Sequence, residues 1–395
     1  MDKKTIRDID IKGRRILVRV DFNVPLDIKT GAITDDSRIQ AALPTIKYLI
    51  DHNAKVILCS HLGRPDGKAV DGLRMAPIAQ RLSRLIEAPI VTVPDCIGQE
   101  VEKAANSLKD GQVLFLENVR FHPEEKENDP KFAQALAKLA EVYVNDAFGA
   151  AHRSHASTVG VAKYLPAVAG FLMEKELTVL SGILNNPAHP FVALLGGAKV
   201  SDKIGLIQNV LAKVDLLLIG GGMAATFLKV QGREVGLSSV EEEKQDVARK
   251  LLEDASHNGV TLLLPVDVMI AGSISGESAG VVVDIRDIAR DKYIVDIGPR
   301  TIDLFSQKIK GSRTVFWNGP MGVYEIPQFA SGTKALVNLL AGLEATTIIG
   351  GGSTAEIVEE MNLSHKMTHV STGGGASLKF LEGETLPGVA ALLDK

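Results

Sequence analysis

The strongest constraint on this chain is a repeated alternation. Short apolar runs rich in Val, Ile and Leu are separated by longer segments of helical period. In the first part the runs are Ile16–Val20, Val56–Cys59, Val113–Leu116 and Val142–Val144. In the second part they are Phe191–Leu195, Leu216–Ile219, Thr261–Leu264, Thr314–Trp317, Thr346–Ile349 and Thr368–Ser371. Runs that are apolar throughout suit strands buried on both faces, as in parallel sheets covered by helices. Between them the spacing of Ile204, Ile207 and Leu211 predicts a helix over Ser201–Val214. A second helix over Glu241–His257 stops at Asn258-Gly259, a C-terminal cap signal. The pattern therefore predicts an α/β architecture with two separately wound parallel sheets flanked by helices.

A boundary is expected at Pro166–Gly170. The following segment, Phe171–Leu184, reads as a helix linking the halves and ending before Asn185-Asn186-Pro187. This gives an N-terminal lobe over 1–169 and a C-terminal lobe over 170–379. A chain of 395 residues is long enough for each lobe to bury its own core. Lys+Arg total 44 against 48 Asp+Glu, a net charge of −4, so there is no general electrostatic case for nucleic acid or an anionic membrane. Residues 1–169 carry net +2 and residues 170–395 net −6, so what matters is where the arginines stand. Cys59 and Cys96 lie in no metal-ligand or redox spacing and read as buried free thiols. The charged start Met1–Arg15 lacks a signal peptide's apolar stretch, and no window holds 18 uninterrupted apolar residues. The expectation is a soluble cytoplasmic protein.

In open parallel sheets, ligands bind beyond the carboxyl ends of the strands. In the first lobe that edge collects Asp21, Asn23 and Arg38 after the first run. His61 and Arg64 follow the second, Arg120 the third, and His152 and Arg153 the fourth. Arginines converging there suit a small polyanion, because guanidinium holds phosphate or carboxylate bidentately. Taken singly, each could instead be a surface residue or a partner of Asp36, Asp66 or Glu124. The second lobe places glycines at the same edge: Gly196-Gly197, Gly220–Gly222, Gly350–Gly352 and Gly373–Gly375. Glycine lets backbone N–H groups approach phosphates, and a following helix adds its positive end. Lys199 and Lys203 could reach the same phosphates. Neither GxxxxGK[ST] nor GxGxxG occurs, which disfavours a P-loop and a dinucleotide dehydrogenase. An anion trap and a nucleotide cradle together suit phosphoryl transfer across a cleft, which needs positioning and cations more than a protein nucleophile. The pair His152 and His155 on a glycine-flanked loop lacks a third metal ligand. Trp317 is expected to pack on the sheet.

Several strings carry a resemblance. They are Arg19-Val-Asp-Phe-Asn-Val-Pro-Leu26, Ser60-His-Leu-Gly-Arg-Pro65, Glu117-Asn-Val-Arg-Phe121 and Asn145-Asp-Ala-Phe-Gly149 with His152-Arg153. Leu195-Gly-Gly-Ala-Lys-Val200, Trp317-Asn-Gly-Pro-Met-Gly322 and Ser371-Thr-Gly-Gly-Gly-Ala376 complete the set. In this order, over essentially the whole chain, they resemble the phosphoglycerate kinase family.

The resemblance implies two Rossmann-like lobes joined by a hinge helix, with residues about 380–395 packing back on the N-terminal lobe. It implies reversible phosphoryl transfer from 1,3-bisphosphoglycerate to MgADP in glycolysis by a monomer whose lobes close on their substrates. Carried over by position, Asp21, Asn23, Arg38, His61, Arg64, Arg120 and Arg153 would hold the glycerate. Arg38 and Lys199 would be catalytic, flanking the phosphoryl group in flight. Lys203 would grip nucleotide phosphates and Glu325 the ribose, while Gly197, Gly222, Asn318 and Pro320 would line the pocket. Gly351, Gly352, Ser353 and Thr354 would complete the nucleotide site, with Gly373, Gly374 and Gly375 in the phosphate region. Three positions depart from the family pattern. Ser353 stands where an Asp usually helps to hold Mg²⁺, and a hydroxyl is a neutral, weaker ligand. Ile294 replaces a glycine near the base, and Lys379 an acidic residue. A relative that kept the fold but lost turnover through Ser353 is the alternative from another functional class.

Overall fold

The computed structural model describes residues 2–27 and 29–395. The chain divides into two compact units, one formed by Met1–Thr178 with Thr385–Lys395 and the other by Val179–Glu384.

The first unit holds six strands: β1 (Arg15–Arg19), β2 (Lys55–Cys59), β3 (Ile90–Thr92), β4 (Val113–Phe115), β5 (Val142–Asn145) and β6 (Ala167–Ala169). They form one parallel sheet in the order β3-β4-β2-β1-β5-β6. β1 and β2 are central, which is why Ile16, Val18, Val56 and Leu58 are completely buried. The edge strands β3 and β6 had no signature in the apolar pattern. β3 is half exposed, and β6 is a bare Ala-Val-Ala.

The second unit holds β7 (Phe191–Leu195), β8 (Leu216–Ile219), β9 (Thr261–Leu263), β10 (Asp267–Ala271), β11 (Val281–Asp284), β12 (Tyr293–Ile297), β13 (Thr314–Asn318), β14 (Thr346–Gly350) and β15 (His369–Val370). Six of them make a parallel sheet ordered β15-β14-β13-β7-β8-β9. Trp317 is fully buried on it among Val192, Leu194 and Leu336. A small antiparallel sheet, β11-β10-β12, is added to the two expected parallel ones. Its strand β11 leaves Val281 at 59% exposure, so it carries no buried-strand signature.

The division between units falls inside the helix Phe171–Asn185, not ahead of it. The start of that helix is tied to the first unit. Thr45 Oγ1 accepts from Phe171 N at 2.8 Å, Asp146 Oδ1 accepts from Leu172 N at 2.9 Å, and Arg7 pairs with Glu174 at 2.7 Å. At the other end of the chain, Lys4 N donates to Leu393 O at 2.8 Å and Asn145 Nδ2 to Gly388 O at 3.1 Å. The helix expected over Ser201–Val214 runs from Ile204 to Leu211. Its start is displaced because Ser201 N donates to the Glu241 carboxylate at 3.0 Å instead of opening the helix.

Candidate active site

In the first unit the carboxyl edge of β1, β2 and β4 is a tightly bonded surface. Asn23 Oδ1 accepts from Gly63 N at 2.7 Å, which ties the loop after β1 to the loop after β2. Asn118 Oδ1 accepts from Arg120 N at 3.1 Å, and its Nδ2 donates to Leu62 O at 2.8 Å and Leu73 O at 2.9 Å. That clamp sets Arg120 in the short turn Val119–Phe121. Arg120 donates to Gly63 O at 3.0 Å, while its Nε is buried without a hydrogen-bond partner. Burial, then Arg19 and Arg153, push Arg120 down to about 10. An underused guanidinium repelled by like charges is chemically set to receive an anion.

Arg38 reaches Asp21 Oδ2 at 2.6 Å from the first turn of the helix Ser37–Asp51. Of the acids that could have paired with these strand-end arginines, Asp36 pairs with Arg81 at 2.6 Å and Asp66 with Lys126 at 3.2 Å. His61 is 5% exposed, and burial followed by Arg19, Arg120, Arg153 and Arg38 holds it well below the ordinary histidine range. Arg64 and Arg153 are exposed, and Arg153 Nε donates to His152 Nε2 at 3.1 Å. His155 lies 3.7 Å from Glu125, and burial lowers it to about 4.

In the second unit three glycine turns pack backbone against backbone. Gly196 N donates to Asn318 O at 3.0 Å and Gly197 N to Pro320 O at 2.9 Å. A Cβ on Gly196 would lie 2.2 Å from Pro320 O, and one on Gly319, at φ +98°, 2.2 Å from Gly196 O. Only glycine allows these approaches. The turns border a cavity of about 420 Å³ whose lining includes Gly197, Gly222, Ile294, Pro320, Glu325 and Ser353. Lys203, Asn318, Gly351, Gly352, Thr354 and Gly373–Gly375 lie outside that lining. Lys203 Nζ donates to Asn318 Oδ1, and burial lowers it to about 8. Thr354 Oγ1 accepts from Gly319 N at 2.8 Å, bracing the turn from beneath. Gly352 and Ser353 open the helix Gly352–Glu360, with Gly351 at φ +88° before it. Gly374, at φ +49°, precedes the helix Gly375–Leu381, and Gly373 N donates to Ser371 Oγ at 3.1 Å. Lys199 is exposed after β7, and Lys379 pairs with Glu384 at 2.7 Å.

Two groups of residues escaped the sequence reading. Arg19 is completely buried at the end of β1, and its signal was a charge within the apolar run Ile16–Val20. Tyr324 lines the cavity and Glu356 lies beside it without a motif to mark them, and Asp296, of the string Asp296-Ile-Gly-Pro299, lines it as well. Asp296 accepts from Ile297 N and Gly332 N, each at 2.8 Å, and burial raises it to about 6.

A family model described as phosphoglycerate kinase matches residues 6–384. The phosphoglycerate kinase of Pelotomaculum thermopropionicum is 55% identical over 395 residues, and that of Roseiflexus castenholzii 57% over 396, each match covering 100% of both chains. Among solved structures, phosphoglycerate kinase from Coxiella burnetii aligns with a TM-score of 0.87 at 41% identity, covering 99% of each chain. Phosphoglycerate kinase from Pyrococcus horikoshii aligns with a TM-score of 0.85 at 33% identity, covering 98% of each.

Proposed function

The chain belongs to the phosphoglycerate kinase family, and from that premise we propose which of its residues do the work. It is a glycolytic kinase that moves a phosphoryl group reversibly between 1,3-bisphosphoglycerate and ADP, giving 3-phosphoglycerate and ATP. In the forward direction a β-phosphate oxygen of ADP bonds to the phosphorus while the bond to the carboxyl oxygen breaks. The leaving group is a carboxylate, so no proton need move. Catalysis then reduces to holding both ends and neutralising the oxygens of the group in flight.

The glycerate is held in the first unit by Asp21, Asn23, Arg38, His61, Arg64, Arg120 and Arg153. The observation that carries this reading is Arg120, a buried guanidinium with an unpartnered Nε on an edge already crowded with positive charge. The nucleotide occupies the cavity of the second unit, with Gly197, Gly222, Pro320 and Glu325 in contact and Asn318 and Lys203 behind. Gly351, Gly352, Thr354 and Gly373–Gly375 shape the phosphate-facing backbone. Arg38 and Lys199 supply the fixed positive charge for transfer.

Mg²⁺ fits the oxygen donors beside Ser353. The Tyr324 hydroxyl lies 3.3 Å from Glu356 Oε2, and Glu356 stands one turn beyond Ser353 on the helix Gly352–Glu360. Mg²⁺ keeps waters and substrate phosphates as ligands and needs only one or two carboxylates. Glu356 therefore supplies the carboxylate that Ser353 lacks. When bound, the ion neutralises nucleotide phosphate charge. Among the described residues the one cluster of three His, Cys, Asp or Glu ligands lies elsewhere, at Asp95, Cys96 and His122. Among them too, no helix is long and apolar enough to cross a membrane. We place the enzyme in the cytoplasm as a monomer.

The test is formation of acyl phosphate from 3-phosphoglycerate and MgATP, trapped with hydroxylamine, alongside calorimetry of each ligand. Hydroxamate dependent on both substrates is the expected outcome. Binding of both ligands without product would move the non-catalytic reading forward.

A further inference from the structure

We propose that Arg19 is a positioning residue that locks His61 as a neutral imidazole with its proton on Nε2, so that His61 meets the substrate as a donor of constant charge. The proposal rests on reading His61 as a substrate ligand.

The argument starts from valence. A guanidinium has donors only, and Arg19 Nη2 lies 3.0 Å from His61 Nδ1. Nδ1 must therefore accept, which leaves Nε2 to carry the proton of the neutral ring. Arg19 itself cannot turn away. Its Nε donates to Ser157 Oγ at 2.8 Å and its Nη1 to Val20 O. Ser157 Oγ passes its proton toward Glu125 Oε1 at 2.6 Å, and Glu125 Oε2 accepts from Ser157 N at 2.8 Å. Arg19, Ser157 and Glu125 are all fully buried or nearly so, and this chain of bonds accounts for each oxygen of Glu125.

The groups around His61 act in the same direction. Arg19 faces it from β1, Arg38 from the helix Ser37–Asp51, Arg120 from the turn Val119–Phe121 and Arg153 from the loop after β5. Among the acids of this edge, Asp21 is bonded to Arg38 and Glu125 lies behind Ser157. Protonating His61 would put a fifth positive charge among four and remove the acceptor from Arg19. An anion site built on an ordinary histidine would change strength across neutral pH. This one does not, because its histidine is prevented from titrating.

The direct test is ¹⁵N NMR of the histidine side chains in the full-length wild-type protein. The expected result is a His61 ring with protonated Nε2, unprotonated Nδ1 and no titration between roughly pH 5.5 and 8, the window around an ordinary histidine. An Nδ1–H tautomer, or titration near the ordinary value, would overturn the lock. Addition of 3-phosphoglycerate should shift Nε2. An unmoved Nε2 would instead overturn the reading of His61 as a ligand and leave the lock standing.

Arg19→Met with Glu125→Gln removes the lock without stranding a buried charge. Burial and Arg38, Arg120 and Arg153 still keep the ring neutral in this double variant, but no donor then fixes its proton. ¹⁵N NMR should show Nδ1 and Nε2 sharing it. The KM for 3-phosphoglycerate should rise by roughly three- to tenfold with kcat little changed, the loss of about one hydrogen bond. An Nε2–H tautomer that persists in the double variant, or a loss confined to kcat, would mean that Arg19 has a structural role only.

Discussion

The two units solve the same problem with different materials. Each has a six-stranded parallel sheet, and the proposed function puts phosphate groups at the carboxyl edge of both. In the first unit the edge is made of side chains, with Arg38, Arg120 and His61 held by Asn118, Asp21 and Arg19. In the second it is made largely of backbone, with glycine turns packed so closely that Gly196 and Gly319 have no room for a methyl group. Side-chain cations concentrate charge but must be desolvated and mutually repelled, which is why Arg120 and His61 are both pushed down. Backbone amides bring only partial charge but cost no rotamer freedom and cannot be deprotonated.

The difference can be broken most sharply at Arg38. Arg38→Ala should lower kcat by about 10²–10³, the usual loss when one charge-stabilising donor is removed, while leaving MgATP affinity nearly intact by calorimetry. Near-normal turnover would remove Arg38 from the reaction. Gly319→Ala attacks the other edge. With a methyl group 2.2 Å from a carbonyl oxygen and a φ of +98°, unfolding by urea should show a loss of roughly 3 kcal/mol, with ADP affinity reduced in parallel.

Asp296 sharpens the comparison through pH. Its carboxyl is raised from 3.8 to about 6 in the folded chain, so the native state keeps a proton that the unfolded chain gives up between those values. Its contribution is fully present below pH 3.8 and lost as pH rises through 6. The stability of Asp296→Asn minus that of wild type should therefore grow by roughly 2–3 kcal/mol from pH 4 to pH 7. A constant difference would show that the carboxyl is not raised. The smallest effect concerns the metal. Glu356→Gln should weaken Mg²⁺-dependent nucleotide binding by about tenfold, and Ser353→Asp should restore it in that background. Binding insensitive to magnesium in all three proteins would rule out this set of ligands.

Much of this was legible beforehand for a physical reason. Buried parallel strands write themselves as unbroken apolar runs, and β7 and β8 occupy the very residues the pattern predicts. The glycine turns were equally visible, because close backbone approach admits one residue type. What stayed hidden depends on distant partners. Asp296 is tied to Gly332, and Glu356 reaches Tyr324, both across a long stretch of chain. Arg19 stands in the sequence as the first residue of a family string, and its partner Ser157 lies far along the chain. β11 was missed because exposed valines obey no burial pattern.

The return of Thr385–Lys395 to the first unit has a consequence for how the molecule is made. Leu393 bonds Lys4 and Gly388 bonds Asn145, so the unit whose sheet is translated first is closed by residues translated after the whole second unit. During synthesis the second unit is complete in sequence before its predecessor is. The nascent first unit must therefore wait, its β5–β6 side unsealed, until the ribosome has released the other. Domain order along this chain is not the order in which its parts can be finished.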